Sequence, residues 1–508
     1  MTNTTDEGHY IPKAYQFERD MDYSAPDKRV DTLQFDEDAN SHFVYHSMGE
    51  LLTTEKGKKT LSEMIKTFFH SQRRRLDILD GYSKGKNFTI LSGRRRLEAE
   101  KSDYRVAHNW GGYISNYITG YLLSKPITIG TKQVDDDEAK TLETVNDINL
   151  ANDINTLNFE LGFDASRYGR AFELHYRGED GKDNVVQIDP KEIFVIRSSD
   201  VSKKVIGAVH VPVYNGDVHL TIYTNTHIIK YPLFAEGGES TLTESGRKKH
   251  FYDDVPVVEW WNDRFRQGDF ETVIGQIDAY DSAQSDTANY MSDLNDALLV
   301  INGDLNAAGL GVDDATKMKQ ANMLLLESGV DHTGKQTSLS AEYIYKQYDV
   351  TGSEAYKTRL INDIYKLSHV PNLDDDNFNA QNSGIALQYK MIGLEQIRSI
   401  KQSFYTKALR RRYRLIEGIH KELSAENVTA DDLTFTFHEN IPRDVWAEVE
   451  RYVAVGGDLS ANSLMELASF IENPTDELEK ILSESINPNA TDAERQFMLG
   501  RDLNAEEE

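Results

Sequence analysis

Apolar residues in the first part of the chain recur every three or four positions, which predicts amphipathic helices. The pattern covers residues 61–69 and 104–123, and Pro126 closes the second segment because proline lacks the backbone donor of a continuing helix. Short β-branched runs follow and predict the strands of a meander-like sheet, so this part is an α+β domain. The predicted strands are 171–177, 185–188, 192–196, 209–214, 218–223 and 227–231, with Asn215-Gly216 as a hairpin turn.

The pattern then predicts one uninterrupted helix over 273–301. One face is apolar and includes Ile277 and Tyr280, and the run 297–301 is interpreted as a buried helix end. The opposite face repeats polar residues at i, i+3 and i+4 spacing. These are Asp278, Asp281, Ser285, Asn289, Asp293 and Asp296. An ordinary amphipathic helix with a solvated acidic stripe is the simplest explanation.

A short segment of different character follows this helix. Glycines over 303–311 interrupt the helical pattern, and the runs 323–326 and 343–348 predict two strands. The segment is therefore predicted to be a small α/β insert between two helices, with the second helix over 352–370.

A polar, acidic loop over 371–383 is the next predicted element. Pro371 ends the preceding helix, and the Asp- and Asn-rich run favours turns. A long helix is predicted from Gly384 to about residue 423, then a strand over 433–437. The remainder is predicted to be helical and ends in an acidic tail.

The composition is that of a folded protein with several domains. The chain has 508 residues, 39% of them hydrophobic, a length that predicts about three or four domains. It contains no cysteine, which excludes disulfides, thiolate metal sites and cysteine nucleophiles. Residues 1–40 predict a mobile polar arm without a secretory signal. No apolar run approaches the roughly 20 residues that span a bilayer, so no membrane partner is expected.

The charge balance is strongly acidic. Lys and Arg total 56 against 84 Asp and Glu, a net charge of −28. Proteins that grip DNA usually present a basic patch, so this balance argues against tight DNA binding. An acidic wall remains compatible with a channel in which DNA slides, and the alternative is that the acidity only supports solubility.

The sequence lacks the common catalytic and metal-binding motifs, so we predict neither an enzymatic activity nor a cofactor. None of the Gly-Lys pairs, such as Gly57-Lys58, is followed by Ser or Thr, so no P-loop is present. Asp374–Asp376 suggest a calcium loop, but the EF-hand spacing fails at three positions. Neither the His-Glu-x-x-His nor the Gly-x-Ser-x-Gly pattern occurs.

Three arginine triplets are candidates for contact with phosphates. They are Arg73-Arg74-Arg75, Arg94-Arg95-Arg96 and Arg410-Arg411-Arg412. Each triplet lies beside acidic helical residues, so salt bridges between subunits are an equally good explanation. Arg94, Arg95 and Arg96 are the strongest candidates for DNA contact because they fall on a predicted loop.

Several segments, in order, resemble the portal proteins of long-tailed bacteriophages that infect Gram-positive bacteria. The loop segment 370–387 is similar to the tunnel loop of that family, and 254–262 with 268–271 is similar to the segment before its stem helix. The order of the segments between residues 75 and 485 is more specific than any one of them. The other matching segments are 79–85, 120–127, 278–281, 293–297 and 440–444.

The resemblance implies a multidomain α+β portal fold, assembled as a ring of about twelve subunits. It has an α/β wing, a helical stem, a small α/β clip and an α-helical crown. The implied boundaries are a mobile arm 1–40, wing 41–272, stem helix 273–301, clip 302–351, second stem helix 352–370, tunnel loop 371–383, long helix and wing return strand 384–442, and crown with acidic tail 443–508.

The implied function is a ring-shaped channel at one capsid vertex, through which double-stranded DNA is packaged and ejected. The implied partners are the terminase ATPase, a head-completion adaptor, and capsid and scaffolding proteins. We expect assembly in the host cytoplasm and a final location in the virion. The alternative is a virion adaptor or scaffolding protein without a channel.

The resemblance also assigns candidate site residues. The tunnel loop would place Leu373, Asp374, Asp375, Asp376, Asn377, Phe378 and Asn379 in the channel. In a ring, the acidic stripe would make Asp278, Asp281, Asp293 and Asp296 candidates for lining the channel. Arg94, Arg95 and Arg96 would contact DNA or a neighbouring subunit.

Overall fold

The fold is described by a computed structural model, and its described residues lie within the compact unit Met1–Asn440. They are 37–91, 103–132, 136–179, 181–214, 217–231, 244–293, 298–302, 334, 340–344, 349–372, 384–423 and 428–438. The predicted arm up to residue 36, most of the predicted clip, the loop residues 373–383 and the predicted crown lie outside this set.

The helices account for about half of the described chain. Their bounds are α1 Met48–Thr53, α2 Glu55–Thr67, α3 Arg73–Ser83, α4 Phe88–Leu91, α5 Trp110–Leu123, α6 Asp136–Ala151, α7 Ile154–Tyr168, α8 Ile274–Asp293, α9 Val350–Leu367 and α10 Gly384–Glu422. A π-helical turn, Phe68–Gln72, joins α2 to α3, and the 3₁₀ turns are Glu37–Asn40, Glu271–Val273 and Ala430–Asp432.

Local side-chain chemistry sets several helix ends. The Thr54 hydroxyl accepts a hydrogen bond from the Gly57 amide at 3.0 Å, and the Asp349 carboxylate accepts one from the Gly352 amide at 2.9 Å. Helix α7 ends at Gly169, whose φ of 85° is left-handed. A Cβ at this position would lie 1.9 Å from the Arg266 carbonyl oxygen, so only glycine fits.

The strands form two main sheets and three short pairs. Their bounds are β1 Phe43–Tyr45, β2 Thr128–Thr131, β3 Arg170–Arg177, β4 Asp183–Ile188, β5 Ile193–Ser198, β6 Val205–His210, β7 Val213–Tyr214, β8 Asp217–Val218, β9 Leu220–Tyr223, β10 His227–Tyr231, β11 Gly246–Lys249, β12 Val257–Trp261, β13 Leu298–Asn302, β14 Ser340–Ile344 and β15 Leu433–Thr436.

The larger sheet has six strands in the order β1-β5-β6-β9-β10-β11. Its pairs are antiparallel except for β1, which runs parallel to β5 with Phe43 opposite Ile196. Strands β7 and β8 form the predicted hairpin, with Val213 opposite Val218. The predicted α+β domain with a meander is therefore confirmed.

The second sheet and the long helix share the largest core cluster. The three-stranded sheet has the order β12-β3-β4, and α10 packs across β12. Buried residues on α10 recur at helical spacing and meet the fully buried Trp260 and its neighbours. They are Tyr405, Leu409, Tyr413, Ile416 and Ile419. Strand β15 then pairs with β2, which confirms the predicted return strand as a strand.

Two predicted helices are shorter than the sequence pattern indicated. The helix predicted over 104–123 begins only at Trp110, and the residues before it are extended. The helix predicted over 273–301 is described as far as Asp293, and Leu298–Asn302 is a strand paired with β14. The prediction of a buried helix end at 297–301 is therefore wrong for residues 298–301. Apolar β-branched residues suit either structure, and pairing with β14 decides between them.

None of the described helices has both the length and the apolar character that crossing a membrane requires.

Candidate functional site

The helices α8 and α9 correspond to the predicted stem and pack against each other. On α9, Leu360 and Ile364 are buried. The Lys357 ammonium is also buried, and its Nζ lies 3.4 Å from the Thr287 hydroxyl of α8 and within ion-pair distance of Glu354. The pair is therefore held by apolar packing with one buried cation at its edge.

An aromatic cluster joins this pair to α5. The ring of Trp110 meets Tyr365 of α9 edge-on at 5.4 Å between centroids and Tyr280 of α8 at 6.0 Å. Tyr113 also meets Tyr365 edge-on at 6.3 Å. Edge-to-face geometry places positive ring edges on negative ring faces and adds to the gain from burial. Three helices are thus fixed at one point by the first two turns of α5.

The residues before α5 form an extended segment, 103–109, that we call the strap. Three polar side chains on α8 accept hydrogen bonds from every second backbone amide of the strap. Asn289 accepts from the Tyr104 amide at 2.7 Å and donates to the Tyr104 carbonyl at 3.0 Å. Ser285 accepts from the Val106 amide at 2.9 Å. Asp281 accepts from the His108 amide at 3.2 Å and bonds the His108 ring at 2.7 Å.

These three hydrogen-bonded positions are spaced equally along α8 and along the strap, although one is a helix and the other is extended. Four helical residues rise about 6.0 Å, and two extended residues rise about 6.6 Å. The side chains at i, i+4 and i+8 of α8 therefore stay in step with every second residue of the strap. These captured amides explain why residues 104–108 are extended although their apolar pattern predicts helix.

Asp278 belongs to the same stripe and bonds a different segment. Its carboxylate accepts hydrogen bonds from the Tyr82 hydroxyl at 2.6 Å and from the Thr89 hydroxyl at 3.0 Å. Next to it, the Asn87 amide donates to Asp281 at 2.8 Å. Burial raises the pKa of Asp278 to about 6, although the donated hydrogen bonds lower it.

The predicted role in lining a channel is therefore wrong for Asp281, whereas for Asp278 it stays a prediction. Asp281 is fully buried, and Asp278 is half-buried with both oxygens hydrogen-bonded inside the subunit. Asp278 accepts from residues 82 and 89, and Asp281 accepts from residue 87 and from the strap. The side chain of Asp293 and the whole of Asp296 lie outside the described residues, so their predicted role stays a prediction.

The far end of α9 leads towards the predicted tunnel loop. His369 has a left-handed φ of 58°, and the buried Val370 and Pro371 follow it. The His369 ring lies against Gly393 of α10, where a Cβ would be 3.3 Å from Nδ1. Leu373, Asp374, Asp375, Asp376, Asn377, Phe378 and Asn379 lie outside the described residues.

On the other side of the loop, α10 is attached to the segment after β12 by a buried cation. The Lys401 ammonium lies 2.8 Å from an Asp269 oxygen, and both side chains are almost fully buried. Lys401 also bonds Asn262, whose amide donates to Asp269 at 2.8 Å. The loop is thus flanked by a fixed turn on one side and an anchored helix on the other.

The family to which this architecture belongs is shown by comparison with known proteins. The family model described as "Phage portal protein, SPP1 Gp6-like" matches residues 64–489, which is most of the chain. The chain belongs to this family. It is a phage portal protein, a virion component that forms the connector between head and tail.

Individual relatives are distant in sequence. The portal protein of Bacillus phage SPP1 is 21% identical over 423 residues, which cover 79% of this chain and 80% of that protein. The portal protein of Clostridium phage phiCD119 is 22% identical over 236 residues, 42% of this chain and 51% of its own length. A solved structure, the neck of an empty gene transfer agent particle computed with C6 symmetry, aligns with a TM-score of 0.40 at 14% identity, covering 78% and 97%.

Two of the three arginine triplets of this portal protein each contain an arginine that is buried within the subunit. The Arg75 guanidinium is buried and bonds Glu271 at 2.8 Å and the Tyr168 carbonyl at 3.2 Å. Arg412 is fully buried and forms an ion pair with Glu173, which is also fully buried. Neither arginine reaches phosphates or a neighbouring subunit, so both interpretations are wrong for Arg75 and Arg412. Arg94, Arg95 and Arg96 lie outside the described residues.

The buried pair Arg412–Glu173 also sets the charge state of its members. Burial alone raises the pKa of Glu173, but the Arg412 guanidinium and the His175 ring reverse this and hold it at about 2. Arg412 further donates to the Asn158 side chain at 2.7 Å. The pair ties α10 to β3 and α7.

No group of three or more His, Asp or Glu residues arranged to hold a metal ion occurs in the part of the chain that the structure describes. The contacts found here position helices and a loop.

Two sets of contacts do not follow from the sequence. One is the row of hydrogen bonds between the strap and residues 281, 285 and 289 of α8, which we call the strap ladder. The other is the buried Lys401–Asp269 ion pair. The polar residues of the ladder recur every four positions in the sequence, but this repeat fits a solvated surface equally well. Asp269 and Lys401 lie far apart in the chain and carry no shared motif.

Proposed function

We propose that about twelve copies of this portal protein form a ring around a channel that passes double-stranded DNA during packaging and ejection. Membership of the portal family over 64–489 is the observation that supports this proposal. The α8–α9 pair would form the stem, because the chain leaves α8 for the insert and returns at α9. The arm, wing, clip and crown keep the boundaries predicted from the sequence.

The loop between α9 and α10 would project into the channel and touch DNA without reading its sequence. Its flanks are fixed by the His369 turn and by the Lys401–Asp269 pair. Asp374, Asp375 and Asp376 carry no donors, so they contact phosphates only through water or cations. Such a loop is a poor gripping element and suits a valve. Leu373 and Phe378 would pack against neighbouring loops, with Asn377 and Asn379 facing the duplex.

Three further assignments concern charged residues and partners. Asp293 and Asp296 remain candidates for an acidic channel wall, and Arg94 to Arg96 for contact with DNA or a neighbour. The insert 302–351 would dock the terminase ATPase and later a head-completion adaptor. Capsid and scaffolding proteins would surround the wing during assembly in the host cytoplasm. Hydrolysis of ATP would belong to the terminase, since this chain carries no P-loop.

Particle size and shape test the ring directly. The purified full-length chain is expected to elute at several hundred kilodaltons and to show a central hole in negative-stain images. A monomer without a hole would instead support a virion adaptor or scaffolding protein.

A unique cysteine tests the loop. The chain has no native cysteine, so Asn377→Cys introduces the sole thiol, and Lys248→Cys on the exposed strand β11 is the matched control. In filled heads, Asn377→Cys is expected to crosslink to its neighbours or to DNA, while the control reacts with a bulky external reagent. Ready labelling of Asn377→Cys by that reagent, with no crosslink, would overturn the valve.

A further inference from the structure

A basic cleft lies on the outer side of α10, and none of the roles described above uses it. Its volume is about 400 Å³, and its walls are the β5–β6 turn, strand β12 and one face of α10. Six cationic side chains line it, against two carboxylates. The cations are Arg197, Lys203, Lys204, Lys407, Arg411 and Arg414. This concentration of positive charge contrasts with the net charge of −28 of the whole chain.

Both carboxylates of the cleft are already paired. Glu259 forms an ion pair with Arg197, and Asp254 forms one with Arg411 at 3.0 Å. Arg414 is neutralised from outside the cleft by Asp431 at 2.8 Å. Three ammonium groups remain, on Lys203, Lys204 and Lys407, and all three residues are exposed. Among the described residues, none of the three has a carboxylate within salt-bridge distance.

The wall between these lysines is aromatic. The Lys407 ammonium lies 5.4 Å from the centre of the Trp261 ring, and the Arg197 guanidinium lies 5.1 Å from it. Phe404 also contacts this ring, and the fully exposed Val201 stands at the tip of the β5–β6 turn beside Lys203. The cleft therefore suits a ligand that carries carboxylates next to an apolar side chain.

A surface with those properties occurs on the opposite side of α10. Helix α6 exposes Glu143 and Asp147, one turn apart, and Leu150, which is 84% exposed. It packs against α7 and β2 and meets α10 where the Tyr413 hydroxyl donates to Asn149 at 2.9 Å. Residues 411 and 413 lie about 200° apart around the helix axis. The basic cleft and α6 thus lie on opposite sides of one helix.

We propose that the basic cleft of one copy binds the acidic face of α6 on the next copy. A ring is closed by head-to-tail contacts, which join two different faces of each subunit. Two copies of this acidic chain repel one another at long range, so their contact requires local charge complementarity. The cleft and α6 supply it on opposed faces, with Leu150 meeting the aromatic wall. The proposal rests on the ring of the proposed function but not on a channel or on DNA passage.

Charge reversal tests the contact in the full-length chain. The cleft variant is Lys203→Glu/Lys204→Glu/Lys407→Glu, and the helix variant is Glu143→Lys/Asp147→Lys. Each is expected to raise the concentration needed for ring formation at least about tenfold, as measured by light scattering after gel filtration. Mixing or combining the two is expected to restore rings. Added salt should reduce the difference in assembly between the wild type and each variant, because it screens the paired charges.

A matched control reverses the same number of charges elsewhere. Arg247→Glu/Lys248→Glu/Lys249→Glu changes three exposed residues of the edge strand β11 and is expected to leave assembly unchanged. Circular dichroism of each variant monitors folding. The milder Lys203→Gln/Lys407→Gln variant replaces the triple variant if that one unfolds, and should show the same loss to a smaller degree.

Each outcome decides between named alternatives. Normal rings from the cleft variant would overturn the proposal, as would failure of the combined variant to restore rings that both parents had lost. Normal rings together with lost binding of a 30-base-pair duplex would assign the cleft to nucleic acid. A wild-type chain that forms no rings would instead overturn the proposed function on which this contact rests.

Discussion

The two long helices of this portal protein, α8 and α10, are attached to the rest of the subunit by polar contacts of opposite kinds. Helix α10 uses buried ion pairs, Arg412 with Glu173 and Lys401 with Asp269. Helix α8 uses the strap ladder, in which Ser285 and Asn289 bond backbone groups and only Asp281 is ionisable.

The difference lies in what happens when one partner is lost. A buried charge without its counterion keeps its full desolvation penalty, so each ion pair is an all-or-nothing contact. A ladder spreads its stabilisation over several neutral hydrogen bonds, each worth about 0.5–1.5 kcal/mol. Helix α10 is therefore fixed at a few points, whereas α8 is held along its length. Four substitutions test this contrast.

Arg412→Met is expected to have the largest effect. It leaves Glu173 charged and buried, which costs about 3–5 kcal/mol of unfolding free energy. Urea unfolding measures the loss, and Arg410→Met, at an exposed position on the same helix, is the control. The double variant Arg412→Met/Glu173→Leu should recover most of the stability. A single variant as stable as the control would remove the distinction between the two helices.

Asp278→Asn tests the carboxylate beside the ladder. The folded-state pKa of about 6 lies above the ordinary value of 3.8, so the wild type gains stability below pH 4 and loses it as the pH rises through 6. The variant lacks this loss, and its stability relative to wild type should rise by about 2–3 kcal/mol between pH 4 and 7. Thermal unfolding across that range measures it, with Asp286→Asn as control. Parallel pH profiles would contradict the assignment.

Asn289→Ala removes one rung of the ladder. The Tyr104 amide then loses its acceptor, at a cost of about 1–3 kcal/mol. Hydrogen exchange should become faster at Tyr104 and remain slower at His108, since Asp281 still holds that rung. Met291→Ala, at an exposed position two residues away, serves as control. Equal acceleration along the whole strap would mean that the ladder opens as one unit.

Arg414→Ala is expected to have the smallest effect. Its pair with Asp431 has the geometry of a salt bridge, but both side chains are more than half exposed. Exposed pairs contribute about 0–1 kcal/mol, so the midpoint of urea unfolding should barely move. A loss comparable to that of Arg412→Met would show that burial does not separate the two classes of contact.

Much of the fold follows from local patterns in the sequence. Most of the meander strands, the β7–β8 pair, α9 and α10 agree with the prediction, because their periodicity or turn chemistry is local, whereas β6 begins at Val205 and β11 was not predicted. The two errors arose where a distant partner decides the structure. Strand β13 is apolar enough for either helix or strand, and β14, some forty residues later, selects the strand.

The candidate site was less predictable for the same reason. Asp278 and Asp281 form a correct stripe, but whether a stripe meets water or another segment depends on packing that periodicity does not encode. Likewise, Arg75 and Arg412 belong to basic triplets that suggested phosphate contact, yet both have carboxylate partners more than 190 residues away in the chain.

The matched repeats of the strap and α8 also restrict how the two can move. A shift of the strap by less than the distance between two hydrogen-bonded positions aligns no donor with an acceptor. The possible registers of the strap on α8 are therefore about 6 Å apart. A step towards the helix C-terminus places the three amides opposite residues 285, 289 and 293, all polar in the sequence, whereas a step the other way places one opposite Ile277. The sequence of α8 therefore offers polar partners for a second register of the strap in one direction only.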